Sequence, residues 1–406
     1  MVLRDPGSTS PLRIWLDSRN TGRPGGTGVA TYTTGMRQCF TQMGCDVTYL
    51  WDRAPDATAP PPNTPARKVL RFMHALLPFP TRVRRRQRPD TGERCWFVPD
   101  LFRLANVHFR IWKRPLRLCG GQPPAIMYST YPLPFLVDDA INVVTIHDLI
   151  PLTHPELTGI DRTFMEKLLR QQVALADVVV TVSETVRQQI VDMFHVPADR
   201  IFNLYQPVSI TDAERRAMEA TPAIAPAGCF LFIGRVEARK NIERLVAAHA
   251  LSGTARPLVI MGPDGDDQPD FTPRTPRQQI IRIPWCSRES LLRTLRDAHA
   301  LLFPSLAEGF GLPIIEAMAL GVPVLTSRGG ATGEIAGDAA LLVDPLDTGD
   351  ITQGIAALDR MTADTAQWQQ MVARGHSQAE RFSPAAQIER MTPFLAHLSR
   401  LSATGR

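Results

Sequence analysis

Two glutamates eight residues apart, Glu308 and Glu316, bracket the run Gly309-Phe310-Gly311-Leu312-Pro313. An ionised carboxylate has two acceptor oxygens, which match the paired hydroxyls of a vicinal diol. Gly309 and Gly311 let the backbone come close to a ligand, and Pro313 suits the first position of a helix whose leading amides can serve anions or hydroxyls. The pattern predicts a loop delivering the chain to a helix start, with Glu316 in the first turn and Gly321 just past the helix end. The helix dipole alone also selects an acid in that turn, so the pair by itself has a structural reading as well.

Three other groups have chemical potential. In Gly234-Arg235-Val236-Glu237-Ala238-Arg239-Lys240-Asn241, the cations Arg235 and Lys240 lie five positions apart and could neutralise a diphosphate. The plain alternative is a solvated turn in which Asn241 caps the next helix. His147 follows the apolar run Val143 to Ile146, at the carboxyl end of an expected strand, where open parallel sheets bind ligands. Gly25-Gly26-Thr27-Gly28 forms a glycine-rich turn that permits close backbone approach, although it is neither a G-x-G-x-x-G fingerprint nor a phosphate-loop sequence.

The elements needed to position these residues follow from hydrophobic periodicity. Leu12 to Leu16 alternates as a strand, Val29 to Met43 recurs at helical spacing until Gly44, and Val47 to Trp51 forms the next strand, a βαβ start. Buried-strand runs recur at Val143 to Ile146 and Val178 to Val182, with a helix through Phe164 to Leu175. A polar, Ala/Pro-rich stretch near 206–228 then separates this part from a second strand and helix series opening at Phe230. The expected organisation is an α/β N-terminal domain over 1–206, a linker over 207–228 and an α/β domain over 229–385. A final helix over 386–406 is placed as returning to the first domain. Two α/β domains imply a cleft between them.

Charge is unevenly spread. Net charge is +5, yet residues 67–117 hold 14 Lys/Arg against 3 Asp/Glu, leaving the remainder acidic. So local a basic patch argues against a nucleic-acid partner and for an anionic membrane surface. The patch lies in an expected insertion over about 52–125. There Val69, Leu70, Phe72, Met73, Leu76 and Leu77 share a helical face and a run of arginines follows. That face fits a membrane, or equally a helix packed on the first domain. No stretch is long and apolar enough to span a bilayer, no secretory leader is evident, and the six cysteines show no metal or disulfide spacing, so a reduced, cytoplasmic protein is expected.

The Glu308 to Glu316 segment resembles the E-x₇-E signature of retaining GT-B glycosyltransferases, and most specifically of glycosyltransferase family 4. The Gly234 to Asn241 segment, the strand ending in His147-Asp148, the loop at Gly25 to Gly28, Val180 to Glu184 and Gly337 to Pro345 resemble that family too. The resemblance implies two Rossmann-like domains with parallel sheets facing a central cleft, and transfer of a sugar from a nucleotide sugar with retention and without a metal cofactor. It assigns Glu316 to the ribose diol, Glu308 with the 309–313 backbone to the sugar hydroxyls, and Arg235 with Lys240 to the diphosphate. His147 is assigned to orienting the sugar, and the Gly25, Gly26 and Gly28 loop to the phosphates and the acceptor. Thr31 stands where similar members often have arginine, which leaves any acceptor contact there open.

The His147-Asp148-Leu149-Ile150-Pro151 run is similar to bacterial mannosyl and rhamnosyl transferases of polysaccharide assembly. GDP-mannose is therefore the leading donor, UDP-sugars the alternative, and a lipid-linked oligosaccharide at the inner membrane face the expected acceptor. A dinucleotide oxidoreductase, a nucleotide-sugar epimerase and a non-catalytic binding module are the competing classes.

Overall fold

A computed structural model of the chain describes residues 11–21, 28–52, 63–87, 94–120 and 122–403. In the N-terminal half the strands are β1 (Arg13–Asp17), β2 (Asp46–Trp51), β3 (Thr81–Arg82), β4 (Arg84–Gln87), β5 (Arg94–Phe97) and β6 (Leu116–Cys119). They continue with β7 (Ile126–Ser129), β8 (Phe135–Val137), β9 (Ile141–Ile146), β10 (Val178–Thr181) and β11 (Ile201–Asn203). The C-terminal half contributes β12 (Phe230–Ile233), β13 (Leu258–Met261), β14 (Ile280–Ile283), β15 (Ala300–Phe303), β16 (Val324–Ser327) and β17 (Leu341–Val343).

Two large sheets result, ordered β11-β10-β9-β7-β1-β2-β5-β4 and β14-β13-β12-β15-β16-β17. All neighbours are parallel except β4 against β5. Runs such as Phe230–Ile233 and Leu258–Met261 are buried along their whole length because helices cover both faces of a parallel sheet. Two strands of the segment expected as an insertion join the N-terminal sheet, β5 pairing with β2 and β4 forming its far edge, while β3 and β6 pair with β8 in a separate three-stranded sheet.

The chain crosses between domains twice. Val208 N–H donates to the Phe382 carbonyl at 2.8 Å, which ties the two crossings together. After the second crossing the helix Pro384–Ala403 lies on the N-terminal domain, where the Phe394 ring meets Phe202 at 5.3 Å and Tyr128 at 6.5 Å. Phe394, Leu395 and Leu398 are fully buried there, each contributing about 1.5–3 kcal/mol.

Between the crossings, the stretch expected as structureless linker contains a helix, Asp212–Ala220. Its start has a capping box in which Thr211 and Glu214 exchange hydrogen bonds, a signal that Thr-x-x-Glu carries in the sequence and composition hides. No helix among the described residues is long and apolar enough to cross a membrane.

Candidate active site

The carboxyl ends of the two sheets face each other where the turn at Gly309 after β15 meets the His147 carbonyl after β9, and Arg235, Lys240, His147 and Glu308 lie on the chain that leaves the strands. Beyond β12 the chain makes a short 3-10 turn, Ala238–Lys240, followed by Asn241 at φ 60°. The left-handed conformation turns the Asn241 side chain away from the helix it was expected to cap. Its amide instead donates to the carbonyls of Pro304 (3.0 Å) and Pro345 (2.7 Å), binding the loops after β15 and β17 to this turn.

Lys240 is buried. Its Nζ donates to Glu308 Oε1 and stands 4.6 Å from the Phe303 ring centroid. Arg239 donates to Glu308 Oε2 at 2.6 Å and lies 2.6 Å from Glu237. Glu308 thus sits between two cations, one of which the sequence reading passed over. Burial alone would raise its pKa, but the charges of Arg239 and Lys240 outweigh burial and hold the carboxyl at about 2. Burial in turn pulls the Lys240 pKa below its ordinary value, against the pull of Glu308.

Arg235 is placed differently from Lys240. Its side chain is half exposed, donates to the Asp264 carbonyl at 3.0 Å and comes no nearer Glu237 than 3.9 Å. The cation beside Glu308 is Arg239, four residues on, because the 3-10 turn directs 239 and 240 into the cleft together.

The helix after β15 spans Leu312–Ala319, so Pro313 takes its second position and Glu316 falls in its second turn, not its first. Gly311, at φ 104°, caps the helix, and the Phe310 ring packs against Phe382 at 5.4 Å. The Phe310 ring is thereby turned away from the cleft, toward the second domain crossing. Glu316 is almost buried and pairs with Arg288 Nη2 at 2.7 Å, while Arg288 Nε reaches Glu214 Oε1 at 3.3 Å. Arg288 starts the helix Arg288–Asp297, capped by Ser287, and nothing in its sequence neighbourhood marks it as a partner of Glu316.

Across the cleft, His147 directly follows β9. Its Nε2 lies 2.8 Å from the Thr130 carbonyl, an oxygen that can only accept, so Nε2 carries the proton and Nδ1 offers a lone pair. Burial lowers the His147 pKa to about 4, although the hydrogen bond to Thr130 favours the proton, so the ring is neutral near pH 7. Thr130 is itself held by Asp17 at the end of β1, whose Oδ2 accepts from Thr130 N–H at 2.5 Å and its hydroxyl at 2.8 Å. Gly28 begins the helix Gly28–Gln42 opposite Leu312, and a Cβ there would sit 3.4 Å from the leucine methyl. Gly25 and Gly26 lie outside the described residues.

A cavity of about 290 Å³ opens beside Glu308 between the domains, lined by Asp148, Thr185, Gln189, Arg328 and the 329–332 segment. Glu334 ties the two domains together: its carboxylate accepts from the N–H groups of Glu184 (2.7 Å) and Thr185 (2.8 Å) at the start of the helix Glu184–Phe194.

Two α/β domains meeting at their strand ends over a cation-flanked carboxylate define the GT-B class. The profile described as Glycosyltransferase Family 4 matches residues 26–211, and the one described as Glycosyl transferases group 1 matches 217–372. The chain belongs to the GT-B glycosyltransferases of family 4. It is 35% identical over 256 residues to O-antigen chain mannosyltransferase B of Escherichia coli, covering 59% of this chain and 66% of that relative. It is 27% identical over 260 residues to the serotype-specific mannosyltransferase WbdA of E. coli, covering 60% of this chain and 32% of that protein. The chain therefore spans just under two thirds of the first relative and about a third of the second. Sucrose-phosphate synthase from Thermosynechococcus elongatus shares the fold, with a TM-score of 0.65 at 20% identity over 95% of this chain and 99% of that one.

Proposed function

We propose that this chain transfers a mannosyl unit from a nucleoside diphosphate sugar, GDP-mannose as the leading donor, to a saccharide in the assembly of a bacterial surface polysaccharide. The observation that carries the proposal is Glu308, kept ionised between Arg239 and Lys240 where the two domains close. An ionised carboxylate at that point accepts hydrogen bonds from sugar hydroxyls, and the adjoining cations meet the charge that grows on a departing diphosphate. The names of the two E. coli relatives support mannose and O-antigen-type assembly.

In this reading Glu316 holds the ribose diol, and Lys240 and Arg235 hold the diphosphate. Arg235 is half exposed, so its guanidinium is accessible to the donor. Neutral His147 accepts a sugar hydroxyl at Nδ1 and orients the ring; no general base is assigned to it. The reaction proceeds with retention and needs no metal. The acceptor is carried on a lipid, and the protein meets it at an anionic membrane surface through residues 67–117.

Thermal stabilisation by GDP, UDP, ADP and NAD at equal concentration tests the donor site, since a ligand that binds only the folded state raises stability by mass action. The expected result is a GDP-selective shift that Glu316→Ala and Lys240→Ala abolish, followed by mannose transfer insensitive to EDTA and an α-linked product from the α-configured donor. A UDP-selective shift would keep glycosyl transfer and replace the donor. Stabilisation by NAD alone, or by no nucleotide, would overturn the proposal.

A further inference from the structure

The helix Pro65–Leu76 lies on the protein the wrong way round for water. It touches the domain through Ala75, the one buried residue of the helix, and through Arg71, which donates to Asp100 at 2.5 Å. From the other side, His108 Nδ1 and Trp112 Nε1 reach the Ala75 carbonyl at 3.1 and 3.0 Å, so the orientation is fixed by specific bonds. Its apolar stripe consequently points outward. Val69, Leu70, Phe72, Met73 and, in the following loop, Phe79 are 50–71% exposed. An amphipathic helix on a soluble domain normally buries that stripe.

The surroundings indicate what covers it. Residues 63–87 carry seven Lys/Arg and no Asp/Glu. Arg67 and Lys68 flank the stripe on the helix, and only the Leu77–Pro80 link separates the helix from β3, so exposed Arg82, Arg84, Arg85 and Arg86 follow directly beside Phe79. Arginines on the edge strand β4 also discourage strand pairing with another chain, but that role does not call for exposed phenylalanine and leucine. A second copy of this chain, meeting the first through the same patch, would set the six exposed cations, all but the inward-paired Arg71, against six.

We infer that this face docks on an anionic bilayer, with the Pro65–Leu76 helix in the interface plane, its apolar stripe among the acyl chains, and the β4 arginines on acidic headgroups. The inference rests on the proposed lipid-borne acceptor for its purpose, but its geometry is independent of the catalytic site.

Flotation of the full chain with phosphatidylcholine vesicles, with and without phosphatidylglycerol, tests it. Binding should be at least about tenfold stronger with the anionic lipid. Leu70→Asp with Phe72→Asp should lower it about tenfold at any salt concentration, whereas charge reversal at Arg84, Arg85 and Arg86 should remove mainly the salt-sensitive part. In a separate Phe72→Trp variant, indole emission should shift to the blue and be quenched by brominated lipid. Unchanged circular dichroism and nucleotide stabilisation establish that each variant is folded.

Vesicle binding that survives both sets of substitutions overturns the inference. So does a wild-type chain that ignores anionic vesicles, or one that dimerises through this face and separates on Leu70→Asp. Transfer to a soluble acceptor with no vesicle binding would remove the docking face and the lipid-borne acceptor and leave the proposed mannosyl transfer standing. Vesicle binding without transfer from any nucleotide sugar would do the reverse.

Discussion

The carbonyl oxygen of His147 lies so close to Gly309 across the domain boundary that a Cβ at 309 would stand 1.9 Å from it. Glycine is the residue that lets the sugar-side loop of one domain touch the strand end of the other. Gly309→Ala should therefore hold the domains slightly apart. Because misplacing reacting groups by about 1 Å costs on the order of 100-fold, kcat should fall by about that factor. Nucleotide affinity, measured by calorimetry, should change little, since Glu316 and Arg288 lie wholly within the C-terminal domain.

Glu308→Gln should remove the counter-charge of buried Lys240, whereas Arg239 keeps its pair with Glu237. The cost of leaving a buried charge unpaired is about 3–5 kcal/mol of stability, and the loss of a charge-assisted contact to the donor should lower kcat by about 100-fold or more. The wild-type pH dependence carries the same signature. Glu308 has its folded pKa depressed from 4.5 to about 2. Its contribution is therefore complete above pH 4.5 and drains away as pH falls toward 2, a loss on the order of 3 kcal/mol. Urea unfolding of wild type should weaken across that window relative to Glu308→Gln.

His147 makes a prediction of the same sign at higher pH. Its folded pKa lies near 4 against an ordinary 6.5, so the unfolded chain binds the proton more readily between those values. Stability from this group is complete above pH 6.5 and falls as pH drops toward 4. NMR titration of the imidazole should show no protonation at pH 6, and His147→Asn, which keeps a side-chain donor for Thr130, should lower kcat about tenfold while flattening that limb of the stability profile.

Arg288 links Glu316 to Glu214 on the helix between the domain crossings. Arg288→Ala leaves Glu316 without its partner, and GDP binding should weaken about tenfold, close to 1.4 kcal/mol. Glu214→Gln, which leaves the Arg288 to Glu316 pair in place, should cost less. If the two substitutions act through the same pair, their effects measured in a double-mutant cycle should not add.

Where a property was local, the sequence showed it. The strand and helix alternation, the helix after Pro313, the turn after β12 and the strand ending in His147 depend on spacing within a few residues and came out within one or two positions. The Asp212–Ala220 helix was hidden for the opposite reason: its composition is polar, and Thr211-x-x-Glu214 is a short signal. Asp17 could not be found because it acts through Thr130, 113 residues away, to fix the ring of His147.

Residue types and spacing by themselves determined that this chain would build two parallel α/β domains with glutamates, cations and a histidine on loops at the strand ends. The tertiary structure decided which of those groups meet. Arg235 and Arg239 are equivalent in composition, but a 3-10 turn rotates only Arg239 onto Glu308, 69 residues further along. Likewise, a helical stripe has the same period whether it faces core or solvent, and the Arg71 to Asp100 pair and the bonds to the Ala75 carbonyl are what turn this one outward. Periodicity specifies a face; only packing against the rest of the chain specifies its direction.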